Sequence, residues 1–105
     1  MKKIINIARD FSPYPYGRSE KYSYTSGEKF REEYLLPALQ DNEIEKVIIE
    51  LDGTEGYGSS FLDEAFANLI RISKLEKSFV LHKLIFVSED DPSLVKEITS
   101  YIEDA

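Results

Sequence analysis

The sequence has no cysteine, no tryptophan and a single histidine, and its acidic residues outnumber its basic ones. Without cysteine there can be no disulfide, no iron–sulfur cluster held by thiolates and no thiolate zinc site. One histidine also excludes a metal site built from several histidines. Thirteen Lys and Arg stand against twenty Asp and Glu, a formal net charge of −7. This balance argues against nucleic acid or a membrane surface as the main partner, because both require clustered positive charge.

Long apolar runs are missing as well. The uninterrupted apolar stretches reach three or four residues, whereas a membrane-spanning helix needs about 20. The amino-terminal residues turn polar too early for the apolar region of a secretory signal. We therefore expect a cytoplasmic protein with one domain over residues 1–105, a normal length for a single domain.

Apolar residues recur with the spacing of strands and helices. Short β-branched runs predict strands over residues 3–9, 46–52 and 84–88, and helical spacing predicts helices near residues 26–39, 59–74 and 91–103. A further strand at residues 21–24 is expected to form a hairpin with the first. Pro37 is expected to end or kink the first helix near Leu36. The order predicts an α/β fold with a mixed β-sheet of about four strands and three main helices.

The best-defined candidate site is the loop at residues 52–60, which follows the central strand. It holds three glycines within six residues and ends in Ser59 and Ser60 at the expected start of a helix. Ligands collect beyond the carboxyl ends of strands, and the amides of a helix start favour anions. A glycine-rich turn in which Ser60 caps the helix, with Asp63 completing a capping box, accounts for the same residues. The glycines are expected to need positive φ or close chain approach.

Three enzyme motifs are incomplete. Residues 50–54 resemble the D-x-D-G-T motif of haloacid-dehalogenase-type phosphatases, but Glu50 stands at the place of the nucleophilic Asp. No Lys precedes the paired serines, as a phosphate-binding Walker A loop requires. His82 lies far along the chain from these serines, and a lone histidine beside a strand is more often structural. We therefore expect no enzyme activity, no catalytic residue, no metal and no cofactor.

The longest motif resembles a known family. It reads LDGTEGYGSSFLDEAF over residues 51–66, and residues 17–18, 26–31, 36–39 and 88–94 carry shorter matching features. With these motifs the chain is similar to the STAS-like family of unknown function, related to the STAS domains of anti-sigma-factor antagonists. In those antagonists a serine at a helix start is phosphorylated by a partner kinase. Gly58 and Phe61 depart from the antagonist pattern, which has Asp and Gly there.

The resemblance implies a non-enzymatic regulatory domain of bacteria or phage, whose protein partner is a histidine-kinase-type ATPase. Phosphorylation is expected at Ser59 or Ser60, with Ser59 the more exposed hydroxyl. The alternative is a small-anion or nucleotide-binding domain that uses the backbone amides of residues 53–60. The expected partner-binding residues are Arg18, Asp52, Gly53, Thr54, Glu55, Gly56, Tyr57, Gly58, Ser59 and Ser60.

Residues 11–25 are rich in tyrosine. Tyr14, Tyr16, Tyr22 and Tyr24 make up four of the seven tyrosines of the chain. Tyrosine together with Arg18 is typical of binding surfaces. The competing interpretation, which we favour from the sequence, is that the rings cover the edge of the sheet and a small core.

Overall fold

The computed structural model describes all 105 residues, and its centre is a parallel sheet of three strands. The strands are β1 (Lys2–Asn6), β2 (Lys46–Glu50) and β3 (Leu84–Val87), in the spatial order β1-β2-β3. Ile4 lies beside Ile48, and Ile48 lies beside Ile85, in the parallel register. The mostly β-branched run of β2 accounts for its central position, where it pairs on both sides.

Five helical segments surround the strands. They are α1 (Ile7–Phe11, one wide turn), α2 (residues 27–40), α3 (residues 59–71), α4 (Lys77–Lys83) and α5 (Ser93–Glu103). The three longest are the three predicted helices, whereas the sequence pattern does not predict α1 or α4. No helix combines the length and the apolar character that a membrane crossing would require.

The expected fourth strand is not formed. Residues 21–24 lie in turns, where the amides of Tyr22 and Ser23 both donate to the carbonyl of Ser19 at 3.1 Å. Two backbone hydrogen bonds hold this segment in place. Tyr16 N–H donates to Thr25 O within the segment, and Gly27 N–H, at the start of α2, donates to Gly17 O. These local bonds occupy backbone groups that a strand would need. The prediction of a mixed sheet of four strands is therefore wrong, and the sheet is parallel with three strands.

One face of the sheet carries the core. Ile5, Val47 and Ile49 are buried there with the aromatic rings of the helices, whereas Ile4 is 51% exposed and Ile85 is 40% exposed. Successive residues of a strand point to opposite faces, so the helices cover one face and leave the other open.

Helices α2 and α3 each contain one π-helical turn, which is wider than an α-helical turn. Arg31–Leu35 in α2 and Asp63–Ala67 in α3 form π-helical turns. Pro37 follows the first of these turns, and α2 continues past it to Gln40. The widened turn accommodates the proline ring, which would otherwise clash with the carbonyl of the preceding turn. The helix therefore does not end near Leu36, and the expected disturbance by Pro37 takes the form of the widened turn that precedes it.

Candidate functional site

Asp52 joins the two loops that leave the carboxyl ends of β2 and β3. Its carboxylate accepts hydrogen bonds from Ser88 Oγ at 2.7 Å, Glu89 N–H at 2.7 Å and Asp90 N–H at 3.3 Å. These bonds, first of all the one from Glu89, lower the pKa of Asp52 below its ordinary value. Asp52 is thus occupied in holding the candidate site together.

Two of the three loop glycines have a conformation that requires glycine. Gly53 has φ +97° and Gly56 has φ +125°, both in the left-handed region. A Cβ on Gly53 would also approach Ala8 Cβ to 3.2 Å. Gly58 has φ −70°, and a Cβ at this position would meet no atom within 4 Å. The expectation of positive φ or close approach is therefore confirmed for Gly53 and Gly56 and wrong for Gly58.

The Tyr57 side chain packs under the loop at residues 52–60 and bonds to the end of β2. Its hydroxyl donates to the Leu51 carbonyl at 2.6 Å, and its ring lies 6.1 Å from that of Phe61. Burial raises the pKa of Tyr57 to about 12. Nearby, Glu55 N–H donates to Pro13 O at 2.8 Å, which ties the loop to the tyrosine-rich segment. The loop and that segment therefore form one continuous surface.

Helix α3 begins two residues earlier than the capping-box prediction requires. Gly58 is its N-cap, and Ser59 and Ser60 are its first two residues. Both serines are exposed, and neither hydroxyl makes a hydrogen bond. Leu62 N–H donates to Gly58 O at 3.1 Å. The prediction that Ser60 caps the helix is therefore wrong, and both hydroxyls are free.

Asp63 binds two arginines instead of completing a capping box. Its Oδ2 lies 2.7 Å from Arg18 Nη1 and 2.6 Å from Arg71 Nη2. Burial acts to raise the pKa of Asp63, but the hydrogen bonds from the two arginines outweigh it and the pKa is lowered. Arg18 also lies 3.7 Å from Glu64 and stays half exposed. Asp63 thereby positions Arg18 beside the start of α3.

The candidate residues fall into two neighbouring depressions. Arg18, Gly58, Ser59 and Ser60 line a depression of about 300 Å³, together with Tyr16 and Gly17. A second depression, of about 330 Å³, is lined by Leu51, Asp52, Gly53, Thr54, Gly56, Tyr57, Asp90, Asp91, Leu94 and Glu97. Glu55 is exposed and lines neither. The structure therefore places Arg18 beside Ser59 and Ser60. It is held there by its bond to Asp63, which lies 45 residues further along the chain.

The tyrosines of the segment face solvent. Tyr14, Tyr16, Tyr22 and Tyr24 are between 63% and 89% exposed, so the expectation that they cover the sheet edge is wrong. A signal was present in the sequence, since residues 12–25 contain no aliphatic side chain that could make a core face. The contribution of Tyr16 to the serine depression was missed because it depends on tertiary contacts.

His82 lies far from the serines. It is exposed in the last turn of α4, which leads into the start of β3, whereas the serines follow the end of β2. The strands are parallel, so these positions are at opposite ends of the sheet, and a Ser-His-Asp arrangement is not formed. No group of three or more His, Asp or Glu side chains is placed to hold a metal ion.

Comparison with known proteins identifies the family. A family model described as a STAS-like domain of unknown function (DUF4325) matches residues 26–94, about two thirds of the chain. No curated protein and no solved structure gives a significant match. The matched region contains the whole of α2, α3 and α4, the loop at residues 52–60 and the strands β2 and β3. The chain belongs to the family of STAS-like domains of unknown function.

Proposed function

We propose that this domain is a non-enzymatic regulatory module that binds a protein partner through the surface around Ser59, Ser60, Arg18 and Tyr16. The observation that carries the proposal is that both serine hydroxyls are exposed and unbonded beside Arg18 and Tyr16. Arginine and tyrosine are enriched among the residues that dominate binding energy at protein interfaces. The surface is formed by two segments of the chain, the one with Tyr16 and Arg18 and the start of α3, and such a surface suits recognition of another protein.

The proposed partner is a histidine-kinase-type ATPase, and the proposed control is phosphorylation of Ser59 or Ser60. A phosphate would add about −1.5 to −2 charges at pH 7. At the start of α3 that charge would be favoured by the helix dipole. It would also lie in the same depression as the guanidinium of Arg18. Partner binding would weaken because the new charge would alter this surface and engage Arg18.

The alternative function, binding of a small anion or a nucleotide, is less well supported. The depression beside the glycines is lined by Asp52, Asp90, Asp91 and Glu97. Four carboxylates at one site repel a phosphate, and the net charge of −7 adds to that repulsion. A protein partner with basic residues fits this part of the surface better.

The neighbouring genes are first searched for a histidine-kinase-type ATPase, and the domain is then titrated with that protein by calorimetry. Ser59→Asp is expected to weaken binding by about tenfold or more, equivalent to about 1.4 kcal/mol. Ser78→Asp is the matched control, because Ser78 is an exposed serine in the first turn of α4, at the other end of the sheet. Ser78→Asp is expected to bind as the wild type does.

Phosphorylation and nucleotide binding are tested separately. After incubation with the ATPase and ATP, mass spectrometry is expected to find phosphate on the peptide that contains Ser59 and Ser60. A domain that neither binds the ATPase nor takes up phosphate would contradict the proposal. A thermal-shift series with nucleotides tests the alternative, since a ligand at 100 times its Kd stabilises by about 2.7 kcal/mol.

A further inference from the structure

Strand β1 forms an open edge of the sheet. Asn6 N–H points away from β2 and donates to Asp10 Oδ2 at 2.9 Å. Backbone groups of alternate residues in a strand point to the same side, so Ile4 and Lys2 also direct their N–H and C=O groups away from β2. No backbone hydrogen bond from a turn or loop reaches Ile4 or Lys2. Free donors and acceptors of this kind can pair with another strand.

The side chains around this edge are also uncovered. Ile4 is 51% exposed at the middle of β1. On the side of β1 that faces the helices, a groove of about 670 Å³ runs between β1 and α2. Tyr34, Pro37 and Ala38 contribute apolar surface to it. No proline or bulge interrupts β1. Only the charges of Lys2 and Lys3 and, at Asn6, the carboxylate of Asp10 protect this edge from pairing.

When two copies of β1 run antiparallel, the positive end of each strand lies opposite the negative end of the other. Lys2, Ile4 and Asn6 share the outer face of β1, since side chains alternate along a strand. Asn6 Nδ2 donates to Glu50 Oε1 at 3.2 Å, which places a carboxylate at the far end of the strand from Lys2. In an antiparallel pair centred on Ile4, Lys2 of one copy lies opposite Asn6 of the other, next to the carboxylates of Glu50 and Asp10. Because Asp10 already accepts the Asn6 N–H, the reciprocal backbone bonds across the axis are those of Ile4. A parallel pair would place lysine against lysine.

We propose that the protein forms a homodimer in which β1 pairs antiparallel with β1 of a second copy, about a two-fold axis at Ile4. The pairing joins two sheets of three strands into one of six and satisfies the free backbone groups of Ile4. The exposed Ile4 side chains cover one another. The two grooves, in which apolar residues alternate with charged ones of both signs, face each other across the axis. Such an interface uses the same patch on both copies and is therefore closed.

Sedimentation velocity over a range of protein concentrations tests the dimer. We expect the mass to rise from 12.1 kDa toward twice that value. Ile4→Lys is expected to raise the dimer dissociation constant by about tenfold or more, since like charges directly opposite each other destabilise a strand pair. Ile85→Lys is the matched control, because Ile85 is an exposed residue on the same face that lies in β3.

A charge exchange makes the test specific for the antiparallel arrangement. Lys2→Glu alone and Glu50→Lys alone are each expected to weaken the dimer, and the double variant is expected to recover it. The Ile4 amide is expected to exchange its hydrogen more slowly in the dimer than in the Ile4→Lys monomer. Circular dichroism identifies variants that do not fold.

Three results would overturn the proposal. One is a wild type that remains monomeric at all concentrations, and another is a dimer that Ile4→Lys leaves unchanged. The third is a dimer that Ile85→Lys abolishes, which would indicate packing through the open sheet face. The pairing uses none of residues 52–60, so the dimer and the proposed partner contact are tested independently.

Discussion

Arg31 of α2 and Glu64 of α3 form a buried ion pair where the two helices cross. Arg31 Nη1 donates to the Glu64 carboxylate at 2.5 Å and to the Glu64 carbonyl at 2.5 Å. The Arg31 side chain is 2% exposed, and its Nε has no hydrogen-bond partner. Each residue belongs to the widened turn of its helix. The pair therefore fixes how α3, which carries the serines, sits against α2.

Removal of one partner from this pair is expected to be strongly destabilising. Arg31→Met leaves the Glu64 carboxylate buried without its hydrogen-bonded cation, and only Arg18, 3.7 Å away, remains near it. The expected loss is about 3–5 kcal/mol of unfolding free energy. The double variant Arg31→Met with Glu64→Leu is expected to recover most of that loss, because no buried charge remains. Urea unfolding of the single and double variants measures both values. Equal stability of Arg31→Met and the wild type would contradict this account.

Gly27 makes the close crossing of the same helices possible. A Cβ at this position would lie 2.5 Å from the Phe61 carbonyl oxygen and 2.9 Å from Ala65 N. Helix propensity alone would make Gly27→Ala stabilising by up to about 1 kcal/mol. The clash is with backbone atoms that cannot rotate away, and we expect it to prevail with a net loss of about 1–3 kcal/mol.

Thermal unfolding of Gly27→Ala decides between these two effects by the sign of the change in Tm. Lys29→Ala, a substitution in the same turn, controls for a general effect of alanine there. A Gly27→Ala variant that is more stable than the wild type would show that the helices can move apart at little cost.

The periodic elements of the fold could be predicted, and the contacts between them could not. β2 and α3 follow from local patterns, a β-branched run and a helical apolar stripe, whose periods reflect backbone geometry. The prediction of a hairpin strand at residues 21–24 was wrong, because Tyr22 and Ser23 of this segment bond to Ser19 rather than to β1. Likewise, nothing in the local sequence indicates that Asp63 binds Arg18, since that bond spans 45 residues.

The place of the loop at residues 52–60 in the fold could be predicted from the sequence, but its detailed geometry could not. The loop lies at the carboxyl edge of the sheet, as strand–loop–helix order requires. The shift of the α3 start by two residues changes the role of Ser60 from cap to exposed side chain. Capping depends on the φ and ψ of one residue, which a sequence pattern does not determine to that accuracy.

The starts of α2 and α3 predict different effects on stability for two serine-to-alanine substitutions. Ser26 Oγ accepts the Lys29 N–H at 3.1 Å and caps α2, so Ser26→Ala is expected to cost about 0.5–2 kcal/mol. Ser60 makes no such bond, and Ser60→Ala is expected to stay within about 0.5 kcal/mol of the wild type. Chemical denaturation of both variants provides the comparison. A larger loss from Ser60→Ala than from Ser26→Ala would show that the cap of α3 involves Ser60.

Tyr57 is expected to control the stability of the protein in alkaline solution. Its pKa is raised by burial from 10.0 to about 12 in the folded protein. Below pH 10 the phenol is neutral in the folded and unfolded chains, so its contribution to stability is complete. Between pH 10 and about 12 only the unfolded chain ionises, and the contribution is lost as the pH rises. Stability should therefore fall over this window.

Tyr57→Phe separates this effect from the titration of all other groups. At neutral pH the variant lacks the hydrogen bond to the Leu51 carbonyl and should be less stable by about 0.5–1.5 kcal/mol. As the pH rises from 10 to about 12, the difference should shrink, because phenylalanine cannot ionise in the unfolded chain. Tyr22→Phe is the control, since Tyr22 is 82% exposed. A constant difference between wild type and Tyr57→Phe across that window would mean that Tyr57 ionises as readily in the folded protein as in the unfolded chain.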